Sequence, residues 1–444
     1  MLGIRWLCRK AAGLDVRDEL LFRVGKVRPT NMTSTSDTPS EGSLFFTKQP
    51  ILDAKRRIWG YELLGGELRE GIYQVFSKNE SAAAGLSSST YFGIQEAMER
   101  GKKVVVAFDE QSILEGLPRA LPPSHGIVRV SAGSGCSQEV LAALQAFRGE
   151  GLEVLFGVTD TLPEAICDSG DILAFDFSNR APAPELLRQC AGITLLAKGV
   201  KNLESFDVAK EMGFSLFQGS FVKEPELVPD RKLSSNEISR INMLRIMESS
   251  EPDFKALSEA VKADVTVSFR LLSFMNSPFF GFTQKIESID HAIRLLGWVK
   301  VKSWLRAVIL ADMSGQEEGP QELAALSLQR ARFLELITTE YDYWGFNPGT
   351  LFLLGMFSLL DAILGMPMPQ VVELLPLDAK LKSTLCGDPN TEHQPLFDLM
   401  ECLEDARWSD LEGQIAQLGF DLAVVKNAHA SARDWASSFF MARS

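Results

Sequence analysis

Strand-like apolar runs recur through the first half of the chain, at Phe45–Ile51, Arg57–Leu64, Val104–Phe108, Ile127–Val130, Val154–Phe156, Ile172–Phe175, Ile193–Ala197 and Leu216–Phe217. From Val104 onward they return at intervals of roughly 20–25 residues. Helical spacing fills the gaps, at Thr90–Arg100, Glu139–Phe147, Glu185–Cys190 and Leu203–Met212. Short buried strands alternating with amphipathic helices predict a parallel sheet clothed by helices, and this many repeats predict a closed barrel. The first two runs flank Asp53-Ala54-Lys55, a turn with a basic tip. They predict an opening hairpin, which makes the barrel slightly irregular.

The texture changes after Pro225–Arg231, which reads as a linker. Asn236–Met247, Phe254–Ala263, Thr266–Met275, Ile289–Leu296, Val299–Met313, Gln321–Tyr341 and Thr350–Leu364 all place apolar residues at helical spacing. Phe254, Leu257 and Val261 form one such stripe, and Val267, Leu271 and Met275 another. Ser288 is suited to cap the helix opening at Ile289. Weaker helices are expected to continue to about Phe440. The reading is therefore α/β plus all-α: a disordered tail over 1–44, rich in Thr, Ser, Pro and Gly from Thr30 to Ser43, then a barrel over 45–228 and a helical domain over 229–444. Translation from Met1 or from Met32 is open at this stage.

Composition narrows the class. The net charge of −13 argues against a nucleic-acid partner. Six cysteines lie far apart with no CxxC pairing, as expected of reduced thiols in a cytoplasm. The longest apolar run, Leu351–Leu364, contains Asp361 and is too short to cross a bilayer. Charges are scattered through Met1–Leu14, unlike a signal peptide. A cytoplasmic protein with no membrane span is the expectation.

Chemistry in a βα barrel collects at the C-terminal ends of the strands. One strand here ends in Ala197-Lys198-Gly199-Val200-Lys201, with Phe217-Gln218-Gly219 after the next. That strand end carries two lysines and no carboxylate. Gly133-Ser134-Gly135 lacks the rest of a phosphate loop, and no HExxH or GxSxG is present.

With Gln49-Pro50-Ile51 and Tyr61-Glu62-Leu63-Leu64 added in front, the first domain resembles the EAL family, TIM-like barrels that hydrolyse the bacterial messenger cyclic di-GMP. The helical part resembles the HDOD domain, a relative of HD-type phosphohydrolases, over Leu271–Phe280, Ser288–Gly297 and Leu351–Met366. The resemblance implies a two-metal site built of oxygen ligands. Set against that pattern, Glu62 stands at the signature glutamate and Asp109 at a metal-binding Asn. Arg129 replaces a glutamate, Gly157-Val158 an Asp-Asp pair, and Ala174-Phe175-Asp176 a Lys-Ile-Asp. Lys198 and Lys201 replace two glutamates.

Three cations facing three acids repel a metal pair, each by roughly several kcal/mol at an effective dielectric near 20. The expectation is no bound metal, no cofactor and no catalytic residue. A salt bridge from Glu62 or Asp176 to Lys198 or Arg129 is expected instead. Lys198 and Lys201 could equally cradle a phosphate, and Gln49 and Gln218 could touch a nucleotide. None of the chain's four histidines, His125, His291, His393 and His429, precedes an Asp, so the helical domain lacks the metal-binding His-Asp pair of HD enzymes; His291 reads as structural. Two functions follow. One is a non-catalytic signalling protein that binds unidentified partner proteins through its HDOD domain. The other is a metal-independent receptor for cyclic di-GMP or another nucleotide. An active phosphodiesterase ranks below both. A homodimer is a candidate assembly, although the loop that pairs active EAL domains, starting at Gly157-Val158, has diverged.

Overall fold

The computed structural model describes residues 44–67, 93–130, 136–158, 164–178, 181–249, 254–276, 286–341 and 345–441. The tail, Gly133–Gly135 and the end of the Leu271–Phe280 stretch lie outside them. The chain divides into two compact units, the first ending at Gly219 and the second starting at Ser220.

The first unit is a closed barrel in which strands β1 (Leu44–Asp53), β2 (Ile58–Glu67), β3 (Lys103–Phe108), β4 (Gly126–Val130), β5 (Glu153–Val158), β6 (Ile172–Asp176), β7 (Thr194–Lys198) and β8 (Leu216–Phe217) pair in sequence order. The hairpin makes β1 antiparallel to both β2 and β8, while every other neighbouring pair is parallel. Helices α1 (93–99), α2 (Glu110–Leu114), α3 (Gln138–Gly149), α4 (Glu164–Ser169), α5 (Pro184–Arg188) and α6 (Leu203–Glu211) lie between the strands. Helices α2 and α4 escape the sequence pattern because they are too short to show a helical period. Ile51, Val105, Ile127, Leu155, Ile172, Ala174, Leu196 and Leu216 fill the barrel interior. Side chains alternate along a strand, so residues two positions beyond these also face inward. That rule brings Arg129, Asp176 and Lys198 to the mouth.

The second unit is helical throughout its described residues: α7 (Ser235–Met247), α8 (Phe254–Ala263), α9 (Val265–Met275), α10 (Ile289–Leu296), α11 (Trp298–Met313), α12 (Glu318–Glu340), α13 (Pro348–Phe357), α14 (Leu360–Leu364), α15 (Met368–Leu374), α16 (Ala379–Leu385), α17 (Gln394–Glu404), α18 (Trp408–Leu418) and α19 (Leu422–Met441). Ser234 and Glu237 form a capping box on α7, and Ser288 caps α10 as expected. The helix anticipated over Thr350–Leu364 is two helices. The Ser358 hydroxyl donates back to Gly355 O and accepts from Arg330, and Leu359 leaves the helical conformation between them. Gly355 lets α13 approach the backbone of Ala331 on α12, where any Cβ would collide.

The segment read as a linker is tied into this second unit. Val228 N donates to Gly365 O at 3.1 Å, and Arg231 Nε to Leu364 O at 3.2 Å. Just before it, Lys223 reaches Glu404 at 2.7 Å. Buried ion clusters bind distant helices together. Arg330 pairs with Glu404 through two hydrogen bonds, Arg240 with Asp264 and Asp312, and Arg306 and Lys302 with Glu248. Each pairs a full charge with a partner far away in sequence, so no local pattern announces it. No helix among the described residues is long and apolar enough to cross a membrane.

Candidate functional site

The mouth of the barrel is organised by one buried carboxylate. Glu62 lies on β2, in register with Gln49 on β1 and Val105 on β3, and is only 1% exposed. Val105 belongs to the interior layer, so the carboxylate points into the barrel. Both of its oxygens are engaged. Oε1 accepts from the Arg129 guanidinium; Oε2 accepts from Lys198 Nζ at 2.7 Å and from Gln218 Nε2 at 2.8 Å. Arg129 and Lys198 keep part of their side chains exposed, as expected at a strand end.

Gln218 is placed by backbone geometry. Its N–H donates to Ala197 O at 2.8 Å and its carbonyl accepts from Val200 N at 3.0 Å. The next residue, Gly219, has φ +151, and a Cβ there would run into the backbone of Val200. Only glycine meets both demands. Gln218 Oε1 is buried with no hydrogen-bond partner among the described residues.

Electrostatics follow from this geometry. Burial alone would push the Glu62 carboxyl up. The adjacent Lys198 and Arg129 charges, with the Lys198 and Gln218 hydrogen bonds, outweigh it and hold the group down at about 2. Lys198 is shifted below the usual lysine range by burial and by Arg129, against the pull of Glu62 and Asp176. Glu62 therefore stays ionised, with its charge spent on neighbouring cations.

The other residues singled out from sequence are placed differently. Asp176 is exposed and in register with Lys198, and its Oδ1 accepts from Ser178 N at 2.8 Å. Asp109 is the N-cap of α2, where its carboxylate accepts from Ser112 N at 2.7 Å. Lys201 is exposed beyond the end of β7, and the cations acting on Glu62 are Lys198 and Arg129. Gln49 shares the inward face with Glu62 through their register. The expected salt bridge is thus made by Glu62 and not Asp176, and it takes both Lys198 and Arg129. Gln218, read as a possible nucleotide contact, turns its amide nitrogen onto Glu62.

Among the described residues no group of three His, Cys, Asp or Glu is arranged to hold a metal ion. In the helical unit His393 is buried against Thr384 and His429 against Gln329. His291 lies on α10, its backbone N–H capped by Ser288.

The HDOD domain family matches residues 237–373. Along nearly its full length the chain is similar to YuxH of Bacillus subtilis, 28% identical over 388 residues, covering 84% of this chain and 94% of that protein. It is similar to the cyclic di-GMP phosphodiesterase CdgJ of Vibrio cholerae, 29% identical over 415 residues, covering 89% and 94%. Among solved structures, an EAL domain protein from Listeria monocytogenes matches 42% of this chain and 93% of its own, at 15% identity and a TM-score of 0.32, too weak a likeness to add to the assignment. The EAL-like motifs sit in order on the strands of a closed barrel, and the HDOD match falls within the helices that follow. The chain is an EAL-type domain followed by an HDOD domain.

Proposed function

We propose that this chain is a non-catalytic, cytoplasmic signalling protein that works by binding other proteins through its HDOD domain, in a pathway linked to cyclic di-GMP. The observation that carries this reading is the state of Glu62, whose two oxygens are taken by Arg129, Lys198 and Gln218. Two dications about 4 Å apart repel each other by on the order of 15 kcal/mol at an effective dielectric of about 20. Each resident cation at a comparable separation adds about 8 kcal/mol of repulsion per dication. Offsetting this needs several free carboxylates. Glu62 is neutralised, Asp109 caps a helix, and Asp176 alone remains exposed. The mouth does not fit a metal pair, and no hydrolytic step is derived for it. The Vibrio relative is named a phosphodiesterase; its activity does not carry over to a mouth in this state.

A metal-independent nucleotide receptor is the second reading. Two cations share one carboxylate, and Gln218 Oε1 is a buried acceptor left over. Phosphates would be neutralised by Lys198, Lys201 and Arg129, with Gln49 and Gln218 beside the nucleotide. Thermal unfolding with and without Mg²⁺ or Mn²⁺ tests the first reading, which expects no shift. A rise growing with metal concentration would show that a site persists. Calorimetric titration with cyclic di-GMP separates the two: no heat at high micromolar ligand discards the receptor, and saturable binding without added metal selects it.

A further inference from the structure

We propose that the exposed corner between α10 and α11 receives an acidic amphipathic segment of a partner protein. This names the partner class for the protein-binding reading above and rests on that reading. Helix α10 buries Ala292, and α11 buries Val301, Leu305 and Ile309 against the bundle. Two aliphatic side chains beside them face outward: Leu295 is 46% exposed and Val299 76%. They flank Gly297, which ends one helix and starts the next at φ 83.

Charge selects the occupant. From His291 to Lys302 the chain carries Arg294, Lys300 and Lys302 and no acid, within a protein of net charge −13. Lys302 is held by Glu248 at 2.9 Å. Arg294 and Lys300 are exposed at either side of the apolar pair. Asp290, one turn before Arg294, is held by Lys262 at 3.0 Å and its carboxyl is also lowered by the Arg294 charge, so it offsets part of that cation. A surface with two aliphatic side chains bracketed by two cations is complementary to a helix bearing aliphatic residues on one face and carboxylates beside them. Two cations are too few for a nucleic-acid backbone, whose affinity scales with the phosphates neutralised.

The test places a photo-reactive benzoyl-phenylalanine at position 299 of the full chain, irradiates it in the native cell and sequences the cross-linked peptide. That peptide is then synthesised and titrated against the wild-type chain and an Arg294→Glu/Lys300→Glu variant. The expected peptide is net negative, with aliphatic residues at helical spacing. It binds the variant at least tenfold more weakly, and exchanging two of its acids for lysine restores binding. All three positions are exposed, so unchanged thermal unfolding shows the variants are folded. Overturning results are no cross-link, a cross-link only to a second copy of this chain or to lipid, a peptide without net negative charge, or affinity indifferent to charge reversal. Hydrolysis of cyclic di-GMP would instead overturn the non-catalytic reading and leave the cross-link as it stands.

Discussion

Glu62→Ala will destabilise the barrel by about 3–5 kcal/mol, the range for removing one partner of a buried ion pair. The substitution strands Lys198 and Arg129 beside each other with the intervening negative charge gone, and leaves the Gln218 amide without its acceptor. Loss of packing is a smaller part, because the interior layer beneath is apolar and unchanged. A domain of this size shifts its Tm by roughly 2–4 °C per kcal/mol, so the barrel's transition should fall by at least about 6 °C. Replacing all three charges together, as Glu62→Leu, Lys198→Met and Arg129→Met, should recover most of the loss, since apolar replacements of a whole buried cluster are often neutral. Denaturant unfolding of the single and triple variants checks both. A single variant within about 0.5 kcal/mol of wild type would mean the cluster is not formed in solution.

Acid will begin to weaken the protein above the ordinary carboxylate range, through His429, and two depressed glutamates will add their loss below it. Glu62 and Glu404 are both held down at about 2 from an ordinary 4.5. For Glu404 the charges of Arg330 and Lys223 overcome the effect of burial. A depressed acid contributes stability that is complete above its unfolded value and is lost as pH falls towards its folded one. Each glutamate therefore withdraws roughly 3 kcal/mol between about pH 4.5 and pH 2. His429 acts in the same direction by the opposite chemistry. Burial, with Arg433 nearby, lowers it from 6.5 to about 3, so the native side chain is neutral. The unfolded chain takes up a proton below about pH 6.5 that the native state refuses, and stability falls from there downward. The helical unit should thus weaken first, between about pH 6.5 and 4.5, with the glutamates adding their share below. Unfolding free energies across that range test this. His429→Leu should flatten the upper part of the slope, and a wild-type curve level from about pH 7 to pH 4 would contradict it.

How much of this was legible in the sequence differs between scaffold and site. The strands were readable because each is a continuous apolar run, and the alternation within them also sets which residues point into the barrel. Ile127 and Arg129, or Leu196 and Lys198, share a face for that reason alone. The kinds of charge at the mouth were readable too, since Lys198 and Arg129 stand where the resembling family has acids. Their wiring was not. Whether Asp176 or Glu62 would hold the lysine depends on barrel closure, which brings β2 and β7 to face one cavity with only β8 and β1 between them. Asp109 looked available as an oxygen ligand, yet a helix too short to show a period begins immediately after it and claims the carboxylate as its cap. In the helical unit the apolar stripes gave the helices, but the break at Ser358–Leu359 sits where Arg330, a residue on another helix, donates to the Ser358 hydroxyl, a contact the spacing does not show. The clusters around Glu404 and Asp312 depend likewise on tertiary proximity, which spacing along the chain does not encode.

The measurement closest to the central claim is turnover. Purified full-length chain, incubated with cyclic di-GMP and excess Mn²⁺ or Mg²⁺ and followed by chromatography of the nucleotides, should give no linear dinucleotide above the protein-free blank, because the carboxylate at the heart of the mouth is already neutralised by Lys198 and Arg129. Metal-dependent product that disappears in Glu62→Gln would contradict the account.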